Sequence, residues 1–235
     1  MRIKKPAAPL ASCIMPTFNR PMFARRALSL FRAQKYPFKE LIVVDDGLVP
    51  AGLEESEDVK IIRLEKKETI GRKHNLGAAA AQGTYLVHWD DDDWFGPLRL
   101  TRQLEPIALG RADITGLPAN CIFRITDCTW WSFRRGYPRR DSRALFGWHD
   151  GTAAYHRRVW DAGVRYTDVD IREKRDFIHL ARVAGFRELE VANEGDFVYI
   201  RHSGNTWTCP DSWMVEMVKP DFFTEDLLRS YGGIQ

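Results

Sequence analysis

Thr84-Tyr85-Leu86-Val87-His88-Trp89-Asp90-Asp91-Asp92-Asp93-Trp94 joins an apolar, strand-like run directly to four consecutive carboxylates. Four adjacent aspartates repel one another, so a fold that gathers them at a strand end has a use for the charge. The usual use is a hard divalent cation, which takes oxygen ligands and in turn holds substrate phosphates. A solvated acidic turn is the alternative for an isolated run, but the strand before this one and the tryptophan on either side suit a partly enclosed site.

The segments leading up to this stretch repeat its plan. Residues 10–15 are a short apolar strand ended by Pro16-Thr17-Phe18-Asn19, and Pro21 suits the first turn of a helix whose inner face is Phe23, Ala24, Ala27, Leu28 and Phe31. Leu41-Ile42-Val43-Val44 is a buried strand running into Asp45-Asp46-Gly47, and residues 59–64 form a third. A helix from about 72 to 82 follows Gly71 and stops at Gly83, placed as a C-terminal glycine cap. After the aspartates, Pro97 opens a helix with Leu100, Leu104 and Ile107 on one side. Alternating strands and helices specify an α/β layer structure with parallel strands. Ligands bind such sheets outside the carboxyl ends of the strands, so the polar residues at those ends are expected to face one crevice. The second half is less regular: strands over 114–126, 129–133 and 197–200, a basic loop with Arg134, Arg135, Arg139, Arg140 and Arg143, and a helix over 172–184. It holds most of the tryptophans, which suits either an acceptor-binding face or packed core.

With 235 residues, 44% hydrophobic and 29% charged, the chain has an ordinary globular balance. A net charge of +3 is too small to argue for nucleic acid. No apolar run approaches the roughly 20 residues of a transmembrane helix, although the basic loop leaves peripheral contact with an anionic membrane open. Met1-Arg2-Ile3-Lys4-Lys5-Pro6 is basic without a long apolar region after it. Residues 1–9 are therefore expected to be a flexible lead-in rather than a secretory signal, with 10–235 a single domain. Cys13, Cys121, Cys128 and Cys209 lack the paired spacing of a zinc site, so reduced thiols in a cytoplasmic protein are the expectation.

Four motifs occur in order: Ile14-Met15-Pro16-Thr17-Phe18-Asn19-Arg20, Val43-Val44-Asp45-Asp46-Gly47, Gly71-Arg72-Lys73-His74-Asn75-Leu76-Gly77, and Asp90-Asp91-Asp92-Asp93-Trp94 with Pro97 and Arg99-Leu100 behind it. Together they resemble the inverting family 2 glycosyltransferases of the GT-A fold, firmly over about residues 10–108. The resemblance implies a Rossmann-like mixed sheet with helices on both faces, a donor-binding half over about 10–110 and an acceptor-binding half beyond it. The implied donor is a UDP, GDP or dTDP sugar, the cofactor Mn2+ or Mg2+, and the acceptor a hydroxyl on a glycan, a lipid-linked or another molecule. Asp92 would be the direct metal ligand. Asp90 lies on the same face of an extended segment as Asp92 and is a second ligand candidate, with Asp90 or Asp91 reaching the ribose or a metal-bound water. Asp93 is either part of this set or a structural cap. Asp46 matches the aspartate that holds the nucleotide base, with Pro16, Thr17, Phe18 and Asn19 lining its pocket. Asp45 fits turn chemistry, and Leu48 stands where the family usually has Ser. The helix start over 71–75 favours a diphosphate, with Lys73 and Asn75 there and His74 where the family commonly has Arg.

Inversion by direct displacement needs a group that takes the acceptor proton. The matching stretch is Asp170-Ile171-Arg172-Glu173-Lys174-Arg175-Asp176-Phe177, in which Lys174 replaces the expected second acid. Glu173 and Asp176 share a helical face, and Asp176 is preferred because it precedes Phe177. His202 is either a further metal or diphosphate ligand or a structural histidine. Trp148, close before Gly151-Thr152-Ala153-Ala154, is a candidate to stack on a sugar ring. Three other functions compete. A sugar-nucleotide-forming nucleotidyltransferase would carry a glycine-rich loop after the first strand, where Pro16-Thr17-Phe18-Asn19 stands. A metal-dependent phosphoesterase would need a second carboxylate cluster. A non-catalytic nucleotide-sugar or glycan-binding module is kept open by Lys174.

Overall fold

The structure, a computed structural model, describes residues 8–133, 148–206, 211–224 and 231. The basic loop from Arg134 to Arg143 lies outside the described residues, as does most of the expected lead-in. In chain order the elements are β1 (Ala11–Thr17), α1 (Pro21–Arg32), β2 (Lys39–Asp45), β3 (Val59–Arg63), α2 (Ile70–Ala80), β4 (Tyr85–His88), β5 (Trp94–Phe95), α3 (Arg99–Ala108), β6 (Ile114–Gly116), β7 (Ile122–Arg124) and β8 (Thr129–Phe133). There follow β9 (Ala154–His156), α4 (Arg158–Asp161), α5 (Glu173–Val183), β10 (Glu188–Glu190), β11 (Phe197–Arg201) and β12 (Met214–Glu216).

A seven-stranded sheet runs in the order β10-β6-β9-β4-β1-β2-β3. β1 is parallel to both β2 and β4, β2 to β3, and β10 to β6, while β9 is antiparallel to its two neighbours. Strand alternation divides its side chains between two faces. Ala11, Cys13, Met15, Leu41, Val43 and Val87 pack with Ala24, Ala27 and Phe31 of α1 and Leu100, Leu104 and Ile107 of α3. On the opposite face Ile14, Ile42, Val44 and Leu86 meet Ala78 of α2 and Phe177, Ile178 and Ala181 of α5. Helices thus cover both faces, and each fully buried aliphatic or aromatic side chain adds roughly 1.5–3 kcal/mol. A five-stranded sheet, β12-β8-β7-β11-β5, stands beside the first and takes β5 from the segment just after the aspartates.

Local differences from the sequence expectation have identifiable causes. Gly83 does not cap α2, whose last turn is followed by Ala81 with extended backbone. A Cβ on Gly83 would stand 2.6 Å from Ser12 Oγ and 2.7 Å from the Leu10 carbonyl, so glycine there permits close approach to β1. Pro97 lies in a turn, and α3 begins at Arg99. The strand expected over 114–126 is two strands in two sheets. Pro118, which cannot donate to a ladder, sits in the crossing between them. Among the described residues no helix is long and apolar enough to cross a membrane.

Candidate active site

The parallel register brings the decisive strand ends to one edge. Thr17 is level with Asp45, and Ile14 with His88, so the loops after β1, β2 and β4 emerge side by side. The β4 end is fixed from below by Arg99, which is fully buried and donates from Nη2 to the carbonyls of His88 at 2.8 Å and Thr152 at 3.2 Å. Trp89 sends its indole N–H to the Ala27 carbonyl at 3.2 Å and is core, so it does not enclose the site.

A continuous chain of polar contacts crosses this edge. Asp46 Oδ1 accepts from Lys73 Nζ at 2.7 Å, and Asp46 Oδ2 accepts from the Glu68 N–H at 2.8 Å. Lys73 also donates to the Thr17 carbonyl at 3.2 Å, and Thr17 Oγ1 donates to Asp91 at 2.7 Å. Arg20 Nη1 then bridges Asp91, at 3.1 Å, and Asp92, at 3.0 Å. Asp92 Oδ2 also accepts from His202 Nε2 at 3.0 Å and Asn205 Nδ2 at 3.2 Å. His202 Nδ1 accepts from the Gly204 N–H at 3.1 Å, which places the ring proton on Nε2.

The four aspartates are chemically distinct. Burial pushes the Asp91 carboxyl up to about 6, and the adjacent Asp92 charge adds to it. Burial acts upward on Asp92 too, but the His202 hydrogen bond and the Arg20 charge outweigh it and hold that carboxyl below its ordinary value. Asp93 accepts from the Ile200 N–H at 3.0 Å, tying the loop to β11, and burial beside the other aspartates drives its pKa well up. Asp93 is thus the structural member. Asp90 is held on both oxygens by Lys174 Nζ, at 2.6 and 2.7 Å. Lys174 thus matches the Asp90 charge as Arg20 matches those of Asp91 and Asp92.

Lys174, the departure from the expected acidic pair, therefore has a defined place. Burial works against its charge, but Asp90 and Glu173 outweigh burial and raise its pKa. Glu173 is 5% exposed at the start of α5 and is pushed up to about 7, chiefly by burial, with Asp150 and Asp90 adding to the Lys174-opposed shift. A Cβ on Gly71 would stand 1.8 Å from the Thr167 carbonyl and 3.2 Å from Glu173 Cβ, so α2 and the α5 start are in direct contact there. Asp176 accepts from Thr167 Oγ1 at 3.3 Å. Of the two candidate acids Glu173 is the more buried, and the charges of Asp150 and Asp90 act on its pKa.

Several other expected site residues have structural employment. Asn19, in left-handed backbone at φ 54°, accepts from the Val49 N–H at 2.9 Å and joins the loops after β1 and β2. Asp45 closes its own turn through the Gly47 and Ala51 N–H groups, at 2.9 and 2.8 Å. Asn75 uses both ends of its amide on the Tyr166 backbone, at 2.9 and 3.1 Å. His74 is fully buried, stacked on Tyr166 at 4.8 Å, and burial lowers its pKa far below the ordinary imidazole value. It offers no charge to a diphosphate. Trp148 is 7% exposed, and a Cβ on Gly116 would fall 1.8 Å from its ring, so it is a core side chain rather than a stacking platform. The first N–H groups of α2 are also spoken for: Ile70 by Asp170 at 3.0 Å, Gly71 by the Val169 carbonyl at 3.1 Å and Arg72 by Thr69 at 3.1 Å. That helix start has no free donors for an anion. Pro16 and Phe18 remain at the end of β1 and in the loop after it, half-buried, with Lys67 Nζ 4.9 Å from the Phe18 ring centre.

Sequence reasoning placed Arg20 only in the capping region of α1, where it stands, and assigned no role to Asn205. Arg20 was visible as the last residue of the first motif, but its bridge between two aspartates depends on a loop path that only the fold defines. A cavity of about 330 Å3 between α2 and the loop after α4, lined by Arg72, Asn75, Trp160, Arg165 and Asp168 among others, touches none of Asp90 to Asp93. Among the described residues no three His, Cys, Asp or Glu side chains are gathered as a ready metal site. The donor chemistry nevertheless fits a divalent cation. Asp91 and Asp92 are two carboxylates bridged by one guanidinium, and hard cations prefer such oxygens. His202 as arranged is a donor to Asp92, and ligating a cation through Nε2 would require it to give up that proton.

Comparison with known proteins agrees with this geometry. The pattern described as Glycosyl transferase family 2 matches residues 12–161. An uncharacterized glycosyltransferase of Bacillus subtilis, EpsJ, is 25% identical over 227 residues, which cover 85% of this chain and 63% of EpsJ. The putative colanic acid biosynthesis glycosyl transferase WcaA of Escherichia coli is 35% identical over 102 residues, 40% of this chain and 36% of WcaA. The structure of S. aureus TarS superposes with a TM-score of 0.64 at 18% identity, covering 81% of this chain and 60% of TarS residues 1–349. The mannosyltransferase PcManGT from Pyrobaculum calidifontis, solved in complex with GDP-Man and Mn2+, has a TM-score of 0.62 at 14% identity and covers 97% of this chain and 73% of PcManGT. The chain spans 41% and 63% of the length of two of the curated relatives it matches. With the four motifs meeting at one sheet edge and the family pattern covering residues 12–161, the protein belongs to glycosyl transferase family 2 and has the GT-A fold.

Proposed function

We propose that the protein transfers a sugar from a nucleoside-diphosphate sugar to an acceptor hydroxyl with inversion, and that Glu173 is the base. The observation that carries this proposal is the unbroken run of contacts Asp46–Lys73–Thr17–Asp91–Arg20–Asp92–His202. It joins the ends of β1, β2 and β4 in one line of polar contacts, along which a nucleotide would lie with its base towards Asp46 and its diphosphate towards Asp92. Asp46, oriented by Lys73, holds the base through a hydrogen bond, and Phe18 and Thr17 border it. Arg20 keeps Asp91 and Asp92 side by side. Asp92, Asp91 and His202 are the residues that would hold Mn2+ or Mg2+, which when bound neutralises charge on the departing diphosphate. That GDP-Man and Mn2+ occupy PcManGT, and UDP-GlcNAc occupies TarS in another crystal structure, supports this assignment.

In the transfer, the acceptor O–H gives its proton to the Glu173 carboxylate as its oxygen forms a bond to the anomeric carbon. The bond from that carbon to the diphosphate breaks, and its electron pair leaves with the diphosphate. A carboxyl with a pKa near 7 is well matched to this work at neutral pH, since it is both available as base and able to hold the proton. Lys174 favours a non-catalytic sugar-nucleotide binder as the second reading. Its ammonium is committed to Asp90, however, and leaves Glu173 free to act. Free thiols at Cys13, Cys121 and Cys128 suit a reducing cytoplasm.

The test is calorimetric titration of UDP, GDP and dTDP with and without Mn2+ or Mg2+, repeated on Asp92→Ala. One nucleotide is expected to bind more tightly with metal, and the variant to lose that increment. Nucleotide affinity that ignores both metal and substitution would overturn the assignment.

A further inference from the structure

Among the described residues Arg20 is the one lysine or arginine within ion-pair distance of Asp91 or Asp92. Its Nη1 reaches both carboxylates, and its Nη2 donates to the Gly204 carbonyl. The guanidinium therefore ties the loop after β1 to the aspartates and to the turn after β11. Two carboxylates share this single positive charge, which leaves an excess of one negative charge on the pair. His202, with Nδ1 accepting from Gly204, and Asn205 hold Asp92 by hydrogen bonds.

The same two carboxylates are the ones assigned to a divalent cation, and the two claims compete. Asp91 Oδ2 already accepts from Thr17 Oγ1 at 2.7 Å, which leaves Oδ1, the oxygen that Arg20 holds at 3.1 Å. Asp92 Oδ2 accepts from Arg20, His202 and Asn205 together. A dication taken up by this pair would face the guanidinium across a few ångströms, and like charges that close repel. The dication also cancels both carboxylate charges by itself, so Arg20 becomes a surplus positive charge. The Arg20 side chain is 23% exposed and has a way out towards solvent.

A surplus cation beside a bound metal calls for an anion, and the donor carries one in its diphosphate. Other groups expected to hold that diphosphate are engaged. Lys73 is paired with Asp46, and Lys174 with both oxygens of Asp90. His74 is buried, with a pKa far below the ordinary imidazole value, and the first N–H groups of α2 are bonded within the protein. A guanidinium, by contrast, offers phosphate oxygens paired N–H donors in one plane.

We propose that Arg20 is an exchange residue: it balances Asp91 and Asp92 until a divalent cation takes them, then turns to the diphosphate of the donor. Cation and nucleotide thereby bind cooperatively through one side chain. The proposal rests on the donor and cation assignments above and adds the coupling between them.

The test compares the full chain with Arg20→Gln and Arg20→Lys. Mn2+ binding without nucleotide is followed by the electron paramagnetic resonance signal of the free ion, and UDP, GDP and dTDP are titrated by calorimetry at saturating Mn2+. Arg20→Gln should bind Mn2+ alone about tenfold more tightly than the wild type and the nucleotide about tenfold more weakly, within the roughly 5–150-fold usual for coupled ligands. Arg20→Lys keeps the charge without the paired donors and should fall between the two in both measurements. A side chain that merely holds the site together would weaken both when replaced, so the opposed signs are diagnostic. Mn2+ binding by Arg20→Gln that is unchanged or weaker, or nucleotide binding that is unchanged, overturns the exchange. Should Arg20→Gln prove unfolded by circular dichroism, Arg20→Lys decides with the same signs. A wild type whose nucleotide affinity ignores Mn2+ counts against the donor and cation reading itself, so the two failures are distinguishable.

Discussion

Replacing Glu173 by Gln should uncouple both stability and turnover from pH. The carboxyl has been moved from an ordinary 4.5 to about 7, mainly because α5 starts in contact with α2 and buries it. Its protonated form is therefore favoured in the folded state. The stabilising proton is fully present below the unfolded pKa of 4.5 and is lost as pH rises through about 7. At 1.36 kcal/mol for each pKa unit, charging Glu173 costs the folded protein about 3 kcal/mol above pH 7. An uncharged amide at this position carries no such cost. In urea denaturation the stability of Glu173→Gln relative to wild type should rise by about 2–3 kcal/mol between pH 5 and pH 8. Over the same range wild-type transfer, or donor hydrolysis without acceptor, should increase with an apparent pKa of about 7. The variant should lose about 10²–10⁴-fold in rate, as expected when a general base is removed, with nucleotide affinity retained. A stability difference independent of pH would refute the buried, proton-holding Glu173. A variant with full activity would place the base elsewhere.

Lys73→Ala leaves the Asp46 carboxylate buried without its partner, and should cost about 3–5 kcal/mol in chemical denaturation together with nucleotide affinity. Asp93→Asn keeps an acceptor for the Ile200 N–H and should hold stability within about 1 kcal/mol, whereas Asp93→Ala strands that donor and loses about 1–3 kcal/mol. Metal-dependent nucleotide binding should survive Asp93→Asn, and a loss as severe as that in Asp92→Ala would contradict the structural role given to Asp93. Gly71→Ala drives a Cβ to within 1.8 Å of the Thr167 carbonyl. It should destabilise by about 1–3 kcal/mol through overpacking and lower kcat more than nucleotide affinity, because it displaces the start of α5.

The strand-and-helix order of the first half was legible because its signals are local. Short β-branched apolar runs such as Leu41 to Val44, bounded by turn residues, favour buried strands, and Pro21, Gly47 and Asp45 mark breaks through their own backbone chemistry. Family membership was legible for a related reason: four short motifs keep their order along the chain. Roles within those motifs were less accessible. Asp90 to Asp93 are equivalent as text, and alternation grouped Asp90 with Asp92. In the folded chain Asp90 belongs to Lys174, Asp92 to His202 and Asn205, and Asp93 to the Ile200 N–H. Each partner arrives from more than eighty residues away. Lys73, His74 and Asn75 show the same limit, since neighbours on one helix face three different surroundings.

What the sequence determined by itself is the α/β layering, the polar strand ends that gather at one edge and the family, because periodicity and strand-end chemistry are properties of short segments. Tertiary structure alone decided which acid is buried enough to have its pKa raised to about 7, which partner each aspartate meets, and that the first N–H groups of α2 are already bonded. Charge, proton affinity and hydrogen-bond capacity depend on burial and on partners, and those are set by chain segments that come together only in the folded protein.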